Sequence, residues 1–146
     1  MPEPRVSGLS HMTFIVADLE AMEEILVTVL GARKVYDSGQ EDEAQFSLSE
    51  ERFYLVGAED LWIAVMKGDP LPSRTYNHVA FKIDDADFDL CRERIAALGL
   101  DIRESRPRVA GEGRSLYFHD RDNHLFELHT GTLAERLARY RQGLKA

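Results

Sequence analysis

Gly8-Leu9-Ser10-His11-Met12-Thr13-Phe14-Ile15-Val16 and Tyr76-Asn77-His78-Val79-Ala80-Phe81-Lys82-Ile83 read as two versions of one segment. Each alternates apolar and polar residues as a strand does, and each carries a histidine near its start. A short acidic turn follows in both, then an amphipathic helical pattern that closes on Leu30-Gly31 or on Leu98-Gly99. A repeat this long predicts two similar modules. Modules that each set a histidine on an early strand can bring the two together across a pseudo-twofold, and a metal site can be built from a repeat in that way.

Working outward, Asp18 is placed to cap a helix whose apolar positions Met22, Leu26, Val29 and Leu30 recur at helical spacing. Short strands are predicted at about 33–37, 43–49, 52–57 and 61–67, divided by polar turns such as Ser38-Gly39-Gln40. Gly68, Pro70 and Pro72 mark residues 68–75 as a linker. The second half repeats the order. A strand over 77–83 precedes a helix over 85–98 that buries Phe88, Cys91, Ile95 and Leu98, and strands follow near 101–105, 114–119 and 124–130. Thr132 and Glu135 form a capping box for a final helix. The expectation is an α+β chain of one domain, residues 1–146, made of two βαβββ modules. Module 1 spans about 6–67, module 2 about 76–130, and the C-terminal helix about 132–143.

Composition narrows the function. At 146 residues with 44% apolar content the chain can bury a real core. A net charge of −8 argues against nucleic acid and against anionic membranes as partners. No apolar run approaches the roughly 18 residues of a membrane span. Met1-Pro2-Glu3-Pro4-Arg5 lacks the apolar stretch of a signal peptide, so a cytoplasmic protein is expected. Cys91 is the single cysteine, which excludes an intrachain disulfide; at an apolar helix position it reads as a small buried hydrophobe.

Of five histidines, only His11 and His78 occupy equivalent places in the repeat. A divalent metal needs a further ligand, and Glu127 lies between apolar neighbours in Leu125-Phe126-Glu127-Leu128-His129. An acid on a core strand is paired or ligating, because an unpaired buried charge is costly. Aligning Leu125-Phe126-Glu127 with Leu61-Trp62-Ile63 sets Ile63 where a fourth ligand would stand. The set of His11, His78 and Glu127 then leaves coordination positions open, as Lewis-acid chemistry requires. His129 shares a face with Glu127, either as a core residue or as its partner. His119 and His124 flank a turn and are expected to be solvated. Residues 103–114 hold Arg103, Arg106, Arg108 and Arg114 against Glu104 and Glu112, with Gly111 and Gly113 allowing close backbone approach. That segment is either a solvated basic loop or an anion site built on arginine forks.

Gly8–Thr13, Arg74–Phe81 and Asp122–Leu133 together resemble the vicinal oxygen chelate superfamily, and within it the fosfomycin resistance proteins. The likeness covers nearly the whole chain. Phe46-Ser47-Leu48-Ser49-Glu50-Glu51-Arg52-Phe53 and Arg106-Pro107-Arg108-Val109-Ala110-Gly111-Glu112-Gly113-Arg114-Ser115 bring it closest to the water-adding kind, the FosX hydrolases, rather than to the two thiol-adding kinds. The resemblance implies a curved sheet around a metal site and a module-swapped homodimer, in which a site draws His11 from one chain and His78 and Glu127 from the other. It implies manganese(II), although the ligand set also suits iron(II), nickel, cobalt or zinc. It makes Glu51 the general base, where the residues alone suggest a surface charge. Thr13, Arg114, Ser115, Tyr117 and Arg136 are then expected to face a phosphonate epoxide, and Trp62 and Tyr76 to line the pocket. The acidic stretch Gln40-Glu41-Asp42-Glu43-Ala44 stands close enough in sequence to alter how Glu51 is presented.

Overall fold

The computed structural model describes residues 2–40, 47–104 and 113–144. The chain divides into two compact units, Met1–Asp69 and Pro70–Ala146.

The first unit runs β1 (His11–Val16), α1 (Leu19–Leu30), β2 (Arg33–Asp37), β3 (Glu51–Val56) and β4 (Leu61–Lys67). Its sheet has the order β1-β4-β3-β2, with β1 parallel to β4 and the other pairs antiparallel. Asp18 caps α1 as its sequence position predicts, its carboxylate accepting from the Glu20 and Ala21 amides at 2.9 and 3.3 Å. Gly31 closes the helix in the left-handed conformation at φ 65°, and the following amide of Ala32 reaches back to the Leu26 carbonyl.

Residues partnered across strands share a face, so the register sorts the sheet. His11 pairs with Trp62, Thr13 with Ala64, Phe53 with Ala64, and Glu51 with Met66. These line one face. The opposite face carries Phe14, Val16, Tyr54, Val56, Ile63 and Val65, buried together with Met22, Ile25, Leu26 and Val29 of α1. Leu26 is fully covered, and cutting such a side chain to alanine costs about 2–5 kcal/mol.

The second unit repeats the plan with β5 (His78–Lys82), a 3₁₀ turn at Asp85–Asp87, α2 (Phe88–Ala97), β6 (Ile102–Glu104), β7 (Ser115–His119) and β8 (Leu125–His129). The sheet order β5-β8-β7-β6 and the parallel β5–β8 pairing match the first unit. Its helix-side face buries Leu116, Phe118, Phe126 and Leu128 along with Phe88, Cys91 and Ile95. The other face presents His78, Ala80, Glu127, His129, Ser115 and Tyr117. α3 (Leu133–Leu144) ends the unit, and the Glu135 amide donates to Thr132 Oγ1 at 3.2 Å.

Three details differ from the sequence expectations. Residues 47–50 are not strand, and the rest of the stretch expected at 43–49 lies outside the described residues, as does the acidic segment after Gln40. His119 and His124 are not solvated. Asp120, 3% exposed, accepts from the Asp122 and His124 amides and from His124 Nδ1 at 2.7 Å, which draws His124 inward, and His119 is itself buried. The repeat also aligns one residue further along than Leu61-Trp62-Ile63. His11 pairs with Trp62 as His78 pairs with Leu125, so the counterpart of Glu127 is Ala64. Ile63 points to the helix side and is fully buried, since a one-residue shift turns a strand side chain to the other face.

Candidate functional site

In the second unit, β5 and β8 run parallel with Ala80 opposite Glu127, which puts His78 and Glu127 on one face two residues apart in register. His78 Nε2 lies 3.0 Å from Glu127 Oε1. Two donors each about 2.1 Å from one divalent ion and at right angles to each other stand about 3.0 Å apart. His78 Nδ1 sits 2.7 Å from the Tyr76 carbonyl, to which it donates, leaving the Nε2 lone pair for a ligand. The imidazole is also held by the rings of Tyr76 and Tyr117, both edge-on, at 4.9 and 5.4 Å. The donor types, their spacing and the fixed tautomer fit a metal ion.

Glu127 is 5% exposed and does not stand alone. Its Oε2 takes a 2.7 Å hydrogen bond from Ser115 Oγ, and the same hydroxyl lies 2.7 Å from His129 Nδ1. Tyr117 shares a 3.2 Å hydrogen bond with Tyr76. Burial, with hydrogen bonds to Tyr76 and Glu127, pushes its phenol above the ordinary value, so it stays protonated. Burial also holds the His129 imidazole below its ordinary value, outweighing the pull of Glu127, with the positive charges of Arg136 and Lys82 adding to it.

In the first unit His11 stacks on Trp62, centroids 4.0 Å apart, and Phe53 meets Trp62 edge-on at 5.3 Å. Ser10 Oγ lies 2.9 Å from His11 Nδ1, the counterpart of the Tyr76 carbonyl at His78. Both histidines thus have Nδ1 engaged by a neighbour just before them in the chain. Thr13 is exposed on the same face. Glu51 opens β3 on that face as well, half-buried, its amide donating to Ser38 Oγ at 3.0 Å and its carbonyl accepting from the Ser38 amide.

Among the described residues no three histidine, cysteine or acidic side chains converge into a ready metal site. His78 and Glu127 meet within one unit, and His11 belongs to the other. Tyr76, Ser115 and Tyr117 gather round His78 and Glu127, and Arg136, half-buried on α3, acts electrostatically on His129. Arg114 is not gathered with them. Its guanidinium binds the Asp85 carboxylate and carbonyl at 3.0 and 3.1 Å and lies over the Phe88 ring at 4.0 Å. As the residue before Ser115 it takes the opposite side of the strand. The remaining basic positions Arg106 and Arg108 lie outside the described residues. Sequence reading treated Ser115 as a substrate contact and missed its bond to Glu127; the strand pairing of Ser115 with His129 is the signal that reveals it.

Residues 8–128 match the model of the Glyoxalase/Bleomycin resistance protein/Dioxygenase superfamily. The chain is 63% identical over 141 residues to fosfomycin resistance protein FosX of Mesorhizobium japonicum, covering 97% of this chain and 98% of that protein. The crystal structure of FosX from Mesorhizobium loti matches with a TM-score of 0.81 at 61% identity, over 92% of this chain and all of the other. A variant of Listeria monocytogenes FosX, solved in complex with Mn(II) and 1S,2S-dihydroxypropylphosphonic acid, matches with a TM-score of 0.81 at 50% identity, over 93% and 99% of the two chains. The chain belongs to the Glyoxalase/Bleomycin resistance protein/Dioxygenase superfamily and, within it, to the FosX group of fosfomycin resistance proteins.

Proposed function

We propose that this chain adds water to the epoxide of fosfomycin, giving the vicinal diol and inactivating the antibiotic, with Mn(II) held by His11, His78 and Glu127. The observation that carries the reading is the half-identical FosX that holds Mn(II) together with a dihydroxypropylphosphonic acid. That diol differs from the epoxide by one molecule of water.

When bound, the metal supplies a Lewis acid that favours negative charge on the ring oxygen. The other steps fall to the chain. Glu51 takes a proton from water on its carboxylate as the water oxygen bonds to the epoxide carbon nearest phosphorus. The ring C–O bond breaks, and the released oxygen regains a proton from solvent. Thr13, Tyr117 and Arg136 orient the phosphonate, and Trp62 and Tyr76 wall the pocket. In the arrangement described, Arg114 is committed to Asp85 and stands outside that set. The reading includes a module-swapped homodimer, in which His11 comes from one chain and the other two ligands from its partner, and a cytoplasmic location. No helix among the described residues is long and apolar enough to cross a membrane.

Phosphorus NMR of fosfomycin incubated with the protein and Mn(II), with and without glutathione, tests this. Diol formed without thiol is the expected result. An adduct that appears only with thiol would replace the hydrolase by a thiol transferase, and no turnover in either tube would remove fosfomycin as substrate.

A further inference from the structure

We infer that Ser115 and His129 act as a relay that clamps the Glu127 carboxylate for metal ligation through Oε1 alone, and that this duty withdraws the Ser115 proton from the substrate. The inference rests on the metal reading above. Ser115 pairs directly with His129 across β7 and β8, with Glu127 two residues earlier on the same face of β8. Ser115 and Glu127 are 9% and 5% exposed, so water does not compete freely for either.

Counting protons sets the direction of each bond. An ionised carboxylate only accepts, and a serine hydroxyl has one proton. The 2.7 Å contact between Ser115 Oγ and Glu127 Oε2 therefore uses that proton. Ser115 Oγ must then accept at its equally short contact with His129, so His129 Nδ1 carries a hydrogen. His129 Nδ1 is 3.5 Å from Glu127 Oε2, too far for a direct hydrogen bond, and its influence passes through Ser115. With Oε2 occupied, Oε1 is the oxygen left facing His78 Nε2 at 3.0 Å.

The second consequence concerns the substrate. A phosphonate is an acceptor and needs donors. Ser115 has no proton left to give while it holds Glu127, and its remaining lone pair would repel the anion. Ser115 and His129 are positioning residues in this account. The first unit has no such clamp: the positions equivalent to Ser115 and His129 are Glu51 and Met66, which pair with each other.

Titration of the purified full-length protein with Mn(II), followed by the EPR signal of the free ion, tests the relay. Ser115→Ala and His129→Phe are expected to raise the Mn(II) dissociation constant about 10–100-fold. Ser115→Thr, which keeps the hydroxyl, and His129→Asn, whose amide N–H replaces Nδ1–H, are expected to restore most of the affinity. Wild-type affinity in Ser115→Ala or in His129→Phe overturns the relay. So does a raised KM in Ser115→Ala at unchanged metal affinity, the mark of a substrate contact. If the wild-type protein itself binds no Mn(II), the metal reading falls and the relay with it; normal wild-type binding with an indifferent Ser115→Ala sinks the relay alone.

Discussion

Glu51 and Arg52 are neighbours on β3 with opposite destinations. Glu51 pairs with Met66 on the open face, and no ionic partner among the described residues holds its carboxylate. Arg52 turns to the helix side, where it binds Glu20 and lies 3.3 Å from Glu23 and 3.2 Å from Asp37. Tyr54 adds a 2.9 Å hydrogen bond to Glu23. One dipeptide thus carries the proposed base and an anchor tying α1, β2 and β3.

Replacing the anchor should cost stability. The Arg52 side chain is 11% exposed, and Arg52→Met leaves Glu23 and Asp37 with Lys34 as their remaining cation. Breaking a fully buried pair costs about 3–5 kcal/mol, and partial exposure of Glu23 together with Lys34 lowers the expectation to about 2 kcal/mol. A fall in melting temperature of roughly 5–10 °C is expected, read by circular dichroism.

Glu51→Gln should do the reverse, leaving the fold intact and stopping the chemistry. General-base assistance is worth about 10²–10⁴-fold, so diol formation should drop by that factor while Mn(II) affinity is unchanged. Loss of metal binding together with activity would remove Glu51 from the role of base.

Asp37 gives a pH signature. Burial alone would raise its carboxyl, but the Gly39 amide, Lys34 and Arg52 outweigh it and hold the native value below the ordinary 3.8. A depressed native value means stability that is present above the ordinary carboxyl range and is lost as pH falls through the native value. The melting-temperature gap between wild type and Asp37→Asn should be wide at pH 7 and shrink towards pH 3. A gap independent of pH would show that Asp37 acts by shape and not by charge.

Gly113 leads into β7 at φ 77°, and a Cβ there would collide with the backbone nitrogen of Gly131 and lie 2.6 Å from its Cα. Neither backbone can yield cheaply, and the left-handed conformation costs a side chain about 1–3 kcal/mol in addition. Gly113→Ala is expected to destabilise by about 3 kcal/mol or more, measured by urea unfolding, and to weaken Mn(II) binding by displacing Ser115.

The repeat made the fold legible, because alternating strands and a 3–4 residue helical period survive in both copies without knowledge of contacts. His78 stands out through the repeat and Glu127 as an acid among apolar strand residues, and the structure brings the two together. What escaped depends on pairing. Ile63 was favoured over Ala64 because apolar content aligns strands to within a residue, whereas face depends on the partner strand's register. His124 looks solvated in the sequence because nothing local reveals that Asp120, its partner, is buried. Arg114 and Ser115 are adjacent in sequence, and only the strand shows that they serve opposite sides.

Ala64, the counterpart of Glu127, makes the two copies unequal. Under the proposed ligation the duplicated scaffold supplies three donors where strict symmetry would supply four, and a divalent ion that accepts six keeps half its places for incoming molecules. A methyl group in one copy thus leaves three places open under that ligation where a fourth donor would leave two. The asymmetry between the halves, more than the likeness that exposes the fold, sets how many incoming atoms the proposed centre can hold at once.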